Sequence, residues 1–162
     1  MDLLPFDDYV RSLNRKRMSA GVVFSDAAQR VLLVEPSYKP HWDLPGGAVD
    51  AEEAPWTTAA REVREELGID RPPGRLLVID YLSSDDRMPE GLAFIFDGGT
   101  ITGTQVDGLS ITDPEILSAG LYTLDEAATK IKPSLALRLA VAMNTGPDAG
   151  PALCENGKRV AG

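Results

Sequence analysis

Glu62, Glu65 and Glu66 stand at i, i+3 and i+4. On an α-helix of about 3.6 residues per turn, that spacing sends all three carboxylates to one side. Like charges so placed repel by a few tenths of a kcal/mol per pair, and a divalent cation would offset the repulsion. Carboxylate oxygens are the hard ligands that Mg²⁺ prefers. Trp56, Ala60, Val63 and Leu67 fall on a stripe about 40° wide, well away from the glutamates, so one face is expected to pack and the other to bind. Gly68 supplies a helix end, and Asp50 to Glu53 bring negative charge to the start, which predicts a helix from Glu52 or Glu53 to Leu67. Arg61 sits among these acids, where it can neutralise part of the cluster and orient Glu53 through a charge-assisted hydrogen bond.

Gly47, Glu53 and the run from Arg61 to Ile69 match the Nudix box of the Nudix hydrolases at every defining position, and WDLPGG, Trp42 to Gly47, resembles the segment that leads into it. Constrained positions spread over such a box are far more specific than a lone glycine motif. The resemblance implies an α/β/α sandwich with a mixed β-sheet. It implies Glu66 and Glu65 as principal metal ligands, Glu62 as a ligand or water-orienting residue, and the Gly46 carbonyl as a further ligand. Glu53 and Arg61 would support them. The cofactor implied is Mg²⁺, with Mn²⁺ as the alternative. The reaction implied is hydrolysis of the diphosphate linkage in a nucleoside diphosphate joined to another group X, by attack of water at phosphorus.

Substrate and general base stay open at this level. Nucleoside triphosphates, oxidised ones included, ADP-ribose and nucleotide sugars are the classes to consider. Asp85, Asp86 and Arg87 occupy the region after the box where ADP-ribose and dinucleoside polyphosphate enzymes carry a marking proline or tyrosine, and neither mark is present. The small size of the chain tilts the expectation toward nucleoside triphosphates. The base comes from the box, as Glu62, or from a later loop, where Glu115 is the first candidate because some relatives place a glutamate there; Asp113 and Asp107 are weaker. The competing reading is a non-catalytic Nudix-fold module that senses a nucleotide derivative, but such modules tend to lose box glutamates, and every one is present.

A chain of 162 residues with 43% hydrophobic content fits one domain with a single core. A net charge of -9 argues against nucleic acid polymers and anionic membranes as partners, and leaves a small phosphorylated molecule bound through metal. No apolar run approaches the roughly 18 residues of a membrane span, and a cytoplasmic protein is expected. Cys154 is the single cysteine, so an intrachain disulfide is excluded. Nudix-fold isoprenoid isomerases, which place a cysteine in the active site, are disfavoured because Cys154 falls in a Gly/Pro-containing segment read as tail.

The elements that must position these residues follow from periodicity. Phe6, Tyr9, Val10 and Leu13 predict a short amphipathic helix between Pro5 and Asn14, which would pack on the domain or on the partner in a homodimer. Arg15 to Arg17 read as a solvated helix end. Residues 1–17 form this arm, 1–143 the domain, and 144–162 a flexible tail. Strands are expected at Met18–Phe24, Val31–Glu35, Trp42–Pro45, Leu76–Leu82, Leu92–Phe96 and Ile116–Tyr122, with helices from Leu124 and from Pro133. His41, before WDLPGG, and Arg87, in the SSDDRMPE loop, are substrate candidates weighed against ordinary surface roles. Trp42 is expected in the core with Leu44.

Overall fold

The computed structural model describes residues 3–161; Met1, Asp2 and Gly162, at the outer ends of the expected arm and tail, lie outside it. Its centre is β1 (Arg17–Ser25), which pairs in parallel with β5 (Gly91–Thr100). On its other edge β1 meets two partners in succession. Its end joins β2 (Val31–Pro36) at Ser25 and Val31, while Ser19 to Gly21 pair antiparallel with β3 (Gly46–Ala48). With β4 (Leu76–Leu82), β6 (Ile116–Tyr122), β7 (Ala152–Glu155) and β8 (Lys158–Ala161), the main order is β6-β2-β1-β5-β4-β7-β8. Parallel β1/β5 and β4/β7 pairs among antiparallel ones make the sheet mixed.

Alternation along the strands sends residues to two faces, and each face has its own helical cover. Ala20, Val22, Phe24, Leu32 and Val34 pack against Ala59, Val63 and Leu67 of α2 (Pro55–Leu67). Val23, Val31, Leu33 and Ile95 pack on the other side against α4 (Leu124–Ala128) and α5 (Pro133–Met143). The result is an α/β/α sandwich.

Several expectations need correction. Helix α2 begins at Pro55, because proline at the first helical position fixes its start, and Glu53 is left in the preceding loop. Trp56 does not join the packed stripe; it is 60% exposed, while Thr58, Ala59 and Glu66 are buried. The strand that carries the glycines is Gly46–Ala48 itself, and Asp43 makes only an isolated bridge to Val34. Helix α1 (Phe6–Ser12) buries none of its residues, so its apolar face does not pack on the domain. A short capped helix, α3 (Gly103–Asp107), interrupts what reads as a Gly/Thr-rich loop.

The largest correction concerns the expected mobile tail. Ala152 and Cys154 point inward and Leu153 and Glu155 outward, so the segment is a strand, and it adds to β4. Asn156 and Gly157, both at positive φ, turn it into β8, which is the dipeptide preferred in two-residue hairpins. Cys154 is accordingly a core residue, 3% exposed, whose thiol is pushed up by burial.

Candidate active site

Two observations join α2 to β3. The Gly46 N–H donates to Glu66 Oε2 at 2.9 Å, and a Cβ on Gly47 would lie 2.5 Å from Glu62 Oε1. Glycine at 47 is therefore required by the close seating of a carboxylate, and its backbone is otherwise ordinary. Pairing with Ser19 to Gly21 fixes β3, and burial of Val63 and Leu67 fixes α2, so both sides of the contact are rigid.

Arg61 organises the remaining acids. Its Nε and Nη2 each donate to Glu53 at 2.9 Å, and its Nη1 donates to Glu62 at 2.8 Å and Glu65 at 3.1 Å. Arg61 and the Thr58 hydroxyl hold Glu53 down to about 2, and Glu53 in turn raises Arg61. Glu53 and Arg61 thus form a clamp between the loop and the helix.

The three glutamates differ in burial. Glu65 is exposed, Glu62 is half-buried, and Glu66 is 8% exposed. Burial pushes Glu66 up to about 8 despite the Gly46 N–H, with the charges of Glu62, Asp43 and Asp113 adding to it. Glu62 is also raised by burial, opposed by Arg61 and assisted by Glu65 and Glu115. A desolvated carboxylate with no cationic partner is what a bound cation neutralises, and three hard oxygen donors suit Mg²⁺. Among the described residues no three acidic, His or Cys side chains already converge on one point. Glu62 and Glu65 would exchange contact with Arg61 for contact with an ion.

Gly46 and Gly47 also line a cavity of about 420 Å³ on the sheet face covered by α5. His41, though exposed, lies on its wall, as does Trp42, which packs edge-on to Tyr122 with ring centroids 5.4 Å apart and is only partly buried. Arg87 does not line it; Asp85 and Met88 on either side do. Glu115 is exposed before β6, and its carbonyl accepts the Ser37 N–H at 2.7 Å. Asp107 ends the exposed helix α3. Arg17, read from sequence as part of a solvated helix end, instead opens β1, and sequence reasoning missed Lys132 and Arg138; all three border the cavity. For Arg138 a signal existed: it falls on the stripe Leu135, Arg138, Leu139, Ala142, where an apolar residue belongs.

Sandwich, box and β3 seat together define the class. The NUDIX domain family model matches residues 15–140, and the chain belongs to the Nudix hydrolase family. Among curated proteins it is 44% identical over 72 residues to diphosphoinositol polyphosphate phosphohydrolase 2 of Rattus norvegicus, covering 44% of this chain and 40% of that protein. It is 34% identical over 104 residues to diphosphoinositol polyphosphate phosphohydrolase NUDT4B of Homo sapiens, covering 64% and 57%. The chain thus spans about half the length of the curated relatives it matches. A MutT NUDIX hydrolase from Burkholderia pseudomallei shares the fold with a TM-score of 0.64 at 24% identity, covering 82% of this chain and 100% of that one. Among the described residues no helix is long and apolar enough to cross a membrane.

Proposed function

We propose that the protein hydrolyses the diphosphate linkage of a small phosphorylated substrate, with Mg²⁺ as cofactor and Mn²⁺ able to replace it. The observation that carries this reading is the seating of Glu62 and Glu66 against the two glycines that also wall the cavity. Glu66 and Glu65, with Glu62 and the Gly46 carbonyl, hold the metal. When bound, it neutralises charge on phosphoryl oxygens and makes water a better nucleophile. Water attacks phosphorus, the bridging P–O bond breaks, and the bridging oxygen leaves with the second phosphate. Glu62 would meet the ion through the oxygen that Arg61 gives up and take the proton of the attacking water on its other oxygen. Glu115, whose charge acts on Glu62, assists metal or water, and His41, on the cavity wall, contacts the substrate.

The substrate is a nucleoside diphosphate joined to a group X, such as a nucleoside triphosphate or ADP-ribose, or a diphosphoinositol polyphosphate like that named for the curated relatives. The exposed apolar face of α1, with Phe6, Tyr9, Val10 and Leu13, supports a homodimer, and the nucleotide-type reaction supports a cytoplasmic setting. The test is a product assay by mass on these substrate classes with Mg²⁺. Turnover of one class, abolished by chelator and by Glu66→Gln, establishes the hydrolase. Tight binding without turnover replaces it with the sensor reading.

A further inference from the structure

The mechanism uses one wall of the cavity, the Gly46–Gly47 edge. The part of its lining that α5 supplies holds a buried cation with unused donors. Arg138 is 9% exposed, yet lines the cavity. Its Nε donates to Asp80 Oδ2 at 2.6 Å, and among the described residues that is the hydrogen bond its guanidinium makes. Among the described residues no buried side-chain nitrogen or oxygen lacks a partner, so the Nη groups are not sealed in protein, and the space that Arg138 borders is the cavity. Guanidinium presents five N–H donors in a planar fork, and Asp80 engages one.

Asp80 fixes the direction of that fork. It is 0% exposed, and both its oxygens also accept the Gly157 N–H, at 3.1 and 3.0 Å. Gly157 cannot be replaced without moving α5, because a Cβ there would lie 2.4 Å from the Ser134 carbonyl oxygen. The β7–β8 turn is thereby pressed onto the first turn of α5, and its Asn156 joins the cavity wall. Helical side chains lean toward the N-terminus, so Arg138 lies over the turn that bears Ser134. That turn has no side-chain cap, and Ser134 and Leu135 also line the cavity. The N-terminal end of α5, with Lys132 before it, and a fixed guanidinium therefore face the same space.

A clamp between α5 and β4 needs only the Nε–Asp80 bond. Asp80 balances the charge of Arg138 but takes only its Nε–H, so the Nη donors of a nine-tenths buried guanidinium are left for an acceptor in the cavity. In a chain of net charge -9, Arg17, Lys39, Lys132 and Arg138 border this one cavity against Asp43 and Asp85. We propose that Arg138, aimed by Asp80 and the β7–β8 turn, forms a subsite for a phosphoryl group remote from the diphosphate that is cleaved. The substrate class is then a diphosphate carrying a second phosphate elsewhere on its scaffold, and substrates ending in a neutral sugar or nucleoside are disfavoured. Substrate preference rests on the hydrolase reading above; the subsite does not. Asp80 and Arg138 lie within the residues matched by the family model, 15–140, and the hairpin that braces Asp80 lies beyond them.

The full chain carrying Trp56→Phe leaves Trp42, on the cavity wall, as its tryptophan reporter. Inorganic phosphate, titrated without divalent cation, is expected to change Trp42 fluorescence saturably. Arg138→Gln should weaken that binding by about tenfold or more, and Arg138→Lys by less, because a charge without the fork remains. If Arg138→Gln does not fold, Arg138→Met combined with Asp80→Leu removes both charges together and serves instead. Turnover is compared on phosphoribosyl diphosphate, which carries a remote phosphate, and ADP-ribose, which does not. The variant should lose about tenfold in kcat/KM on the first, mainly through KM, with little change on the second. Phosphate binding that is absent, or indifferent to Arg138, overturns the subsite even if turnover is intact. Equal losses on both substrates overturn the preference. Absence of turnover on every substrate defeats the hydrolase reading, while the phosphate titration still decides the subsite.

Discussion

The Gly46 N–H donates to Glu66 Oε2 at 2.9 Å, and this bond stands where a buried carboxylate would ordinarily have a cation. Arg61 pairs with Asp50, Glu53, Glu62 and Glu65, and it leaves Glu66 out. Glu66 is thus the acid of α2 with most to gain from a metal. Glu66→Gln keeps the shape and the Gly46 hydrogen bond but removes the charge. Turnover should fall by about 10²-fold or more, with the fold unchanged by circular dichroism. Activity above a tenth of wild type would remove Glu66 from the metal site.

The same burial predicts a pH effect on stability. Glu66 has its folded value raised from 4.5 to about 8, so between those values the folded chain keeps a proton that the unfolded chain has lost. Its contribution is therefore greatest below about pH 4.5, declines as pH rises, and levels off above about pH 8. With chelator present, the melting temperature of wild type relative to Glu66→Gln should fall across that window. Saturating Mg²⁺ should raise wild type most at the alkaline end, where the carboxylate is charged, and leave the variant almost unmoved. A flat difference across the window would show that Glu66 is not desolvated.

Gly47→Ala separates position from charge. The backbone at 47 accepts alanine, but the new methyl carbon would lie 2.5 Å from Glu62 Oε1, and that carboxylate has to move. Displacing a reacting group by about an ångström costs on the order of 10²-fold in rate. The variant should melt near wild type and lose most of its kcat. Full activity would mean that Glu62 acts from another position.

The box was legible because its residues are local in sequence: the three glutamates and Arg61 lie on α2, Gly68 caps its end, and Glu53 lies just ahead of it. Glu53 fell into a loop rather than the helix because Pro55 sets the start, a signal present in the sequence and outweighed by the acidic run before it. What sequence reasoning lost was long-range. Asp80 interrupts the apolar strand LLVIDYL, and Arg138 interrupts an apolar helix stripe. Each alone reads as a blemish; together they form a pair joined at 2.6 Å across 58 residues. Asn156–Gly157 is a hairpin signal, but the Gly/Pro content before it suggested a tail, and the alternation of Ala152 and Cys154 spans only one strand of 4 residues.

Asp26 offers a test of stability remote from the site. Its Oδ1 accepts the N–H groups of Ala28 and Arg30 at 3.0 and 2.8 Å, and its Oδ2 accepts Arg30 Nε at 2.8 Å, which closes the β1–β2 turn. Hydrogen bonds from Arg30, its backbone N–H first, hold the Asp26 carboxyl below its usual 3.8. A lowered folded value stabilises above the unfolded value, and that stability is lost as pH falls through the folded one. Asp26→Asn should lower the melting temperature at neutral pH, and the gap should close as pH drops below about 3.8. A gap constant with pH would mean that the turn depends on shape alone.

Asp80→Ala tests the clamp behind the cavity. It removes the acceptor of Arg138 Nε and of the Gly157 N–H from a position that is 0% exposed. Removing one partner of a buried ion pair costs about 3–5 kcal/mol, because the remaining charge is uncompensated. The loss should appear first where Asp80 holds the β7–β8 turn onto α5. Hydrogen exchange should therefore show Ala152 to Lys158 opening more readily than β1 or β5, which keep their pairing. If exchange rises uniformly across the sheet instead, the hairpin is an integral part of the folding unit, and Asp80 supports the whole domain.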